Sequence, residues 1–266
     1  MERIELEKLF NTRDLGGIPT TDGRHIRKGR LLRSGQLWGA TARDISTLIN
    51  EYKLARIVDF RTETERREKP DPQIDGVAYT ANPVFREEML GMTRDTRSDM
   101  DTLTAMMTAS DRGSADPRAF MVSMYRSVAS MEYSQQQYRR FFDILLAAES
   151  GATLWHCSAG KDRVGIATAL LLTVLGVDRD TIAEDYLLTG RYVRITIDLV
   201  LAKVKDRYDR DDLDQCISAF LGVHRDYLEA FFGQACQISG DTGAYLRDKI
   251  GIGDDEQRRL KDMYLE

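Results

Sequence analysis

Residues 153–176 read TLWHCSAGKDRVGIATALLLTVLG. A short β-like run, TLWHC, passes through a turn holding one glycine into an apolar helix that Gly176 closes. At such a strand-to-helix junction the consecutive amides from Ser158 to Arg163 can curl around one oxyanion while the helix N-terminus points at it. Gly160 permits the tight backbone path, and Arg163 can return its planar fork to two oxygens of the same anion. The dipole and cations that attract an anion also stabilise a thiolate, so Cys157 is expected to be nucleophilic near neutral pH. Nucleophile and anion site coincide in one loop.

The rest of the chain says that any anion must be held locally. Its 266 residues are 42% hydrophobic and 30% charged, which is soluble globular composition, and no Pro- or Gly-rich linker divides it. One domain over 1–266 is expected. The net charge of −5 predicts no broad attraction to nucleic acid or anionic lipid. Three cysteines, at 157, 216 and 236, make no disulfide framework and fit a reducing cytoplasm. The longest apolar stretch, Ile166 to Val177, is about half of the ~20 residues a membrane span needs, and MERIELEKLF lacks the apolar core of a signal peptide. His25, His156 and His224 are far apart and no CxxC or HExxH spacing occurs, so neither a metal nor a cofactor is expected.

Periodicity predicts strands at 30–34 (RLLRS), 55–60 (ARIVDF), within VAYTANPVF and at 153–157. A helix over 41–52 follows the capping candidate Thr41. From Pro117 the chain reads as helices up to Gly151, and from about 191 to 266 as an amphipathic helical C-terminal part. Eight of the ten methionines lie between Met89 and Met131. The segment from about 86 to 120 therefore reads either as a helical insertion packed into ordinary core or as a lid over an apolar cleft. The fold class expected is α/β, a small mainly parallel sheet flanked by helices.

Cys-x5-Arg with a preceding His and a central Gly resembles the signature loop of the cysteine-dependent protein tyrosine and dual-specificity phosphatases. HCSAGKDR, together with NTRDLGG (11–17), RLLRSGQL (30–37), VDFRTETE (58–65) and DYLL (185–188), resembles the bacterial atypical tyrosine/lipid phosphatases. The resembling segments run over residues 11–190. The resemblance implies a phosphotyrosine-phosphatase-like fold in which Cys157 attacks the phosphoryl group. Arg163 and the loop residues Ser158, Ala159 and Gly160 would stabilise the transition state, and water would hydrolyse a phosphocysteine. Phosphorylated proteins and phosphoinositides are the implied partners, and Lys161 is a second cation suited to substrates with more than one phosphate. Its plain alternative is a solvated loop lysine.

The leaving oxygen needs a proton, and a positioned Asp supplies roughly 10²- to 10⁴-fold. Neither tryptophan begins a Trp-Pro-Asp motif. Three candidates remain: Asp162, whose alternative is a helix cap; Asp59, at the C-terminal end of a strand, whose alternative is an ion pair with Arg61; and Asp116 before Pro117. Arg13 and Asp14 resemble a family segment near the active site, or else fix the Gly16–Gly17 turn. Val164 departs from the many relatives with Ser or Thr after the arginine, where a hydroxyl assists thiolate departure. The rival readings of the same loop are a dedicated phosphoinositide or inositol-phosphate phosphatase, favoured by Lys161, a phospho-ligand binding module with little turnover, and a sulfurtransferase of the rhodanese type.

Overall fold

A computed structural model describes residues 2–87, 116–205 and 212–266. Six strands form one sheet in the order β1-β2-β3-β6-β4-β5. They are β1 (Glu2–Arg3), β2 (Arg13–Asp14), β3 (Leu31–Ser34), β4 (Leu54–Asp59), β5 (Ala78–Ala81) and β6 (Ala152–His156). The four-strand part β3-β6-β4-β5 is parallel, and the two-residue strands β1 and β2 add an antiparallel edge. The small, mainly parallel sheet expected from the sequence is therefore present. β5 is shorter than VAYTANPVF suggests: Asn82 and Val84 instead donate their amides to Asp59 and Phe60, turning the chain across the end of β4.

Side-chain alternation sends neighbouring residues to opposite faces of this sheet. Leu31, Val58 and Trp155 join the larger core with α3 (Pro117–Ser130), α4 (Glu132–Leu146), α5 (Asp162–Leu175), α8 (Arg225–Ser239) and α10 (Asp254–Tyr264). Leu32, Ile57 and Leu154 join the smaller core, beside Leu48 of α1 (Ala42–Asn50). Thr41 caps α1 in a reciprocal capping box with Asp44, and Thr62 does the same with Glu65 at the start of α2 (Glu63–Glu68). The helix α5 lies almost wholly inside the larger core and ends at Gly176, whose φ of 85° gives the left-handed turn predicted for it.

The remaining chain is helical, as expected: α6 (Arg179–Val204), α7 (Leu213–Leu221), α8, α9 (Thr242–Tyr245), a single π turn at Leu246–Ile250, and α10. Val193 and Ile197 of α6 pack with Leu213 and Ile217 of α7 in a small cluster of their own. Most of the insertion expected at about 86–120 lies outside the described residues. No described helix is long and apolar enough to cross a membrane.

Candidate active site

The loop that follows Cys157 leaves the C-terminal end of the central strand β6 and enters α5, whose first turn begins at Asp162, two residues earlier than the apolar pattern alone suggests. Its carbonyls are pinned by groups outside the loop. The Gln36 amide donates to Ser158 O at 3.0 Å, and Asn11 Nδ2 donates to Ala159 O at 3.0 Å and Gly160 O at 3.1 Å. Arg33 Nη2 donates to Gly160 O at 2.9 Å. In a planar trans peptide the N–H opposes the C=O, so each pinned carbonyl turns the next amide the other way. The amides of Ala159, Gly160 and Lys161 are thereby oriented as a set. Gly160 itself is at φ 70°, and a Cβ there would come within 2.5 Å of Ser34 O, so glycine is required.

Behind this frame lies a buried ion cluster. Asp185 of α6 pairs with Arg13 at 2.9 Å and also accepts from Arg33 Nη1. Arg13 Nη2 donates to Asp185 O at 2.7 Å and Thr189 Oγ1 at 3.2 Å, and its Nη1 donates to Asn11 Oδ1. Burial first, and then the charge of Arg13, push Arg33 down to about 10. Asn11 adopts the left-handed conformation at φ 63°, which Asn tolerates better than most residues and which lets one side chain serve Arg13 and the loop together. Arg13 and Asp14, expected beside the substrate, thus belong to the framework: Asp14 accepts the amides of Gly16 and Gly29 at 2.9 and 2.7 Å.

Cys157 is buried at the loop's start. Arg163, in the first turn of α5, is gripped by Glu65 of α2: Nη1 to Oε2 at 2.6 Å and Nη2 to Oε1 at 2.8 Å. Ser158 Oγ donates to the same Oε1 at 2.5 Å. Burial works to raise the Glu65 carboxyl, but the Arg163 guanidinium outweighs it and holds the group well below the ordinary carboxylate range. The Phe85 ring lies 5.4 Å from the guanidinium carbon. Glu65 is a site residue that sequence reasoning did not single out. Its signal was the spacing Thr62-x-x-Glu65, a capping box that fixes α2 and aims the same carboxylate at Arg163.

The three acid candidates fall in different places. Asp162 does not cap α5 with its side chain; Oδ1 accepts from the Tyr125 hydroxyl at 2.7 Å and Oδ2 lies 3.5 Å from Lys161 Nζ. Asp59 is fully buried, accepting both Nε and Nη2 of Arg61 and the Tyr79 hydroxyl at 2.8 Å. Burial favours its neutral form, yet the charges of His156 and Arg61 prevail and lower its affinity for a proton. Asp116 caps α3, accepting the Arg118 amide at 2.9 Å. Lys161 is not solvated: it is 7% exposed, and its Nζ donates to the carbonyls of Phe220 and, at 3.2 Å, Gly222 at the end of α7.

His156 meets Asp71, with Nε2 2.9 Å from Oδ2, so folding gathers Asp59, Asp71 and His156 although no sequence spacing announces them. Arg61 already supplies the positive charge of this cluster, with Nη2 2.8 Å from an oxygen of each Asp.

A loop of this geometry, with a cysteine at its base and a clamped arginine at its exit, defines a phosphate-handling α/β protein. The tyrosine phosphatase family model matches residues 4–266, and the chain belongs to that family. It is 30% identical over 263 residues to a Cupriavidus necator chain named as a tyrosine-protein phosphatase, covering 98% of this chain and 88% of the relative. It is 26% identical over 281 residues to the triple specificity protein phosphatase PtpB of Mycobacterium tuberculosis, covering 98% of each. The crystal structure of P. aeruginosa TpbA aligns over 73% of this chain and 90% of its own, with 17% identity and a TM-score of 0.30.

Proposed function

We propose that this tyrosine phosphatase hydrolyses phosphomonoesters through a phosphocysteine formed on Cys157. The observation that carries the reading is the convergence on one loop of Cys157, the pinned carbonyls and the Glu65-clamped Arg163. The thiolate sulfur attacks phosphorus, an S–P bond forms as the P–O bond to the leaving group breaks, and Asp162 gives the departing oxygen its proton. Water then attacks phosphorus and returns a proton to Asp162. The S–P bond breaks, and thiolate and inorganic phosphate are released. Arg163 and the amides of the loop meet the equatorial oxygens, where charge develops. Asp162 is preferred over Asp59 because Asp59 is committed to Arg61 and Tyr79, and over Asp116 because Asp116 is spent on a helix cap.

Turnover of phosphotyrosyl peptide and p-nitrophenyl phosphate should vanish in Cys157→Ser and persist in EDTA. Acid-quenched wild type should carry phosphate on cysteine. Turnover that survives in Cys157→Ser overturns the reading. Phosphoserine/threonine and phosphoinositides are further proposed substrates. For a phosphoinositide the relevant cation is Lys161, and its tether to Phe220 and Gly222 must open before it can meet a second phosphate. A panel of phosphotyrosyl peptides and phosphatidylinositol phosphates, run on wild type and Lys161→Met, separates the substrates. Lipid turnover that is slow in wild type and unchanged in the variant removes the lipid from the proposal.

A further inference from the structure

Tyr125 of α3 donates its hydroxyl to Asp162 Oδ1 at 2.7 Å, and its oxygen meets the Tyr186 hydroxyl of α6 at 2.8 Å. Both tyrosines are buried, with their rings edge to face at 79°. Gly165 makes room for this packing, since a Cβ there would come within 2.9 Å of the Tyr186 ring. A tyrosine has one proton to donate. With Tyr125's committed to Asp162, the bond between the hydroxyls acquires a direction, Tyr186 donating and Tyr125 accepting. The chain ends on Oδ1 and makes that oxygen an acceptor. The second carboxylate oxygen, Oδ2, lies on the side of Lys161.

We propose that Tyr125 is a positioning residue for Asp162, its hydroxyl holding Oδ1 as an acceptor so that the proton delivered to the leaving group rides on Oδ2. The inference rests on Asp162 being the general acid. Among the described residues, Asp162 acts electrostatically on Tyr125 of α3, Tyr138 of α4, Tyr186 of α6 and Tyr227 of α8, besides Arg163 next to it, and it is paired with Lys161. Burial first, and the charge of Asp162 next, hold Tyr125 and Tyr186 well above the ordinary tyrosine value. Both therefore remain donors throughout any working pH.

A hydrogen bond to the ionised form of a general acid favours that form, so losing the donor moves the alkaline limb of a pH–rate profile upward. The test compares the pH dependence of kcat/KM for p-nitrophenyl phosphate and phenyl phosphate in wild type, Asp162→Asn, Tyr125→Phe and Tyr186→Phe. Tyr125→Phe should move the alkaline limb up by about one pH unit, the worth of one hydrogen bond to a charge. It should also slow phenyl phosphate, the poorer leaving group, about tenfold more than p-nitrophenyl phosphate. Tyr186→Phe should move the limb the same way by less. If Asp162→Asn keeps the alkaline limb, the acid assignment falls and this inference with it. If Asp162→Asn loses the limb while Tyr125→Phe leaves it in place, only this inference falls. A merely structural tyrosine would slow both substrates equally without moving the limb. Should Tyr125→Phe fail to fold, an unmoved limb in Tyr186→Phe overturns the proposal.

Discussion

Glu65 meets Arg163 fork to fork, with its carboxylate oxygens 2.6 and 2.8 Å from the two terminal nitrogens. The pair is buried, and its geometry follows from two helix starts: Glu65 stands in the first turn of α2 and Arg163 in the first turn of α5. Each helix therefore places one half of a clamp at its N-terminal end. A guanidinium fixed in this way needs little rearrangement when a phosphoryl group arrives.

Removing the carboxylate leaves a buried, uncompensated cation. Glu65→Ala should cost about 3 kcal/mol of stability, and Glu65→Gln less, because the amide keeps an oxygen for Arg163. Turnover should fall about 10²-fold in Glu65→Ala as the guanidinium loses its orientation. Denaturant unfolding and vanadate affinity measure the two effects; vanadate binding as tight as in wild type would remove Glu65 from the positioning of Arg163.

Acid should weaken the fold through the same kind of contact. Glu65, Asp59 and Asp185 are all buried, which by itself raises a carboxyl, yet neighbouring cations lower all three below their ordinary values. The native state therefore binds fewer protons than the unfolded chain. The stabilisation is fully present above the unfolded carboxylate values near pH 4 and is lost as pH falls below them. Urea unfolding at pH 7, 5 and 3.5 should show a small change over the first interval and a steep loss over the second. A profile level down to pH 3.5 would contradict the assignment.

Asp185 faces two buried cations, Arg13 and Arg33, with one carboxylate. Asp185→Asn should destabilise by about 3–5 kcal/mol, because two buried guanidinium groups then lose the anion they share. Arg33 also holds Gly160 O, so loop order and activity should fall together. Activity retained in a folded Asp185→Asn would show that the loop stands without this frame.

The anion loop was legible because its requirements are local: a strand end, one glycine, an arginine and a helix start within a dozen residues. The framework was legible only as resemblance. Asn11, Arg33, Glu65 and Asp185 all lie in segments that looked familiar, yet contacts spanning up to 172 residues give them their roles, and no periodicity encodes those. Tyr125 carried no signal at all, since a tyrosine in an amphipathic helix reads as core until its hydroxyl is seen on Asp162. The pairing of His156 with Asp71 was hidden for the same reason: 85 residues separate them, although the β6–β4 register sets His156 directly beside Asp59.

Gly160→Ala tests the loop's backbone directly. A Cβ at φ 70° costs about 1–2 kcal/mol by itself, and here it would also strike Ser34 O at 2.5 Å, which is backbone and cannot swing aside. Stability should fall by several kcal/mol, or the loop should distort and lose phosphate and vanadate affinity by about 10²-fold. Calorimetric titration with vanadate alongside thermal unfolding distinguishes the two outcomes. A variant with wild-type stability and affinity would mean that the peptide at Gly160 can turn over freely.

Val164 bears on the second step of the proposed reaction. It is fully buried in the first turn of α5, directly after the arginine, and brings no hydroxyl toward the departing sulfur. With a phosphocysteine intermediate, its hydrolysis should then be slower than its formation. Stopped-flow mixing of p-nitrophenyl phosphate with the wild type should show a burst of nitrophenol approaching one equivalent of enzyme. Val164→Thr is close in shape but buries a hydroxyl, so it should cost about 1–2 kcal/mol of stability unless the group finds a partner. If that partner is the leaving sulfur, the steady-state rate should rise about tenfold and the burst should shrink, as expected for one added hydrogen bond in the slow step. A linear wild-type progress curve at high enzyme concentration would place the slow step before the intermediate and take Val164 out of its control.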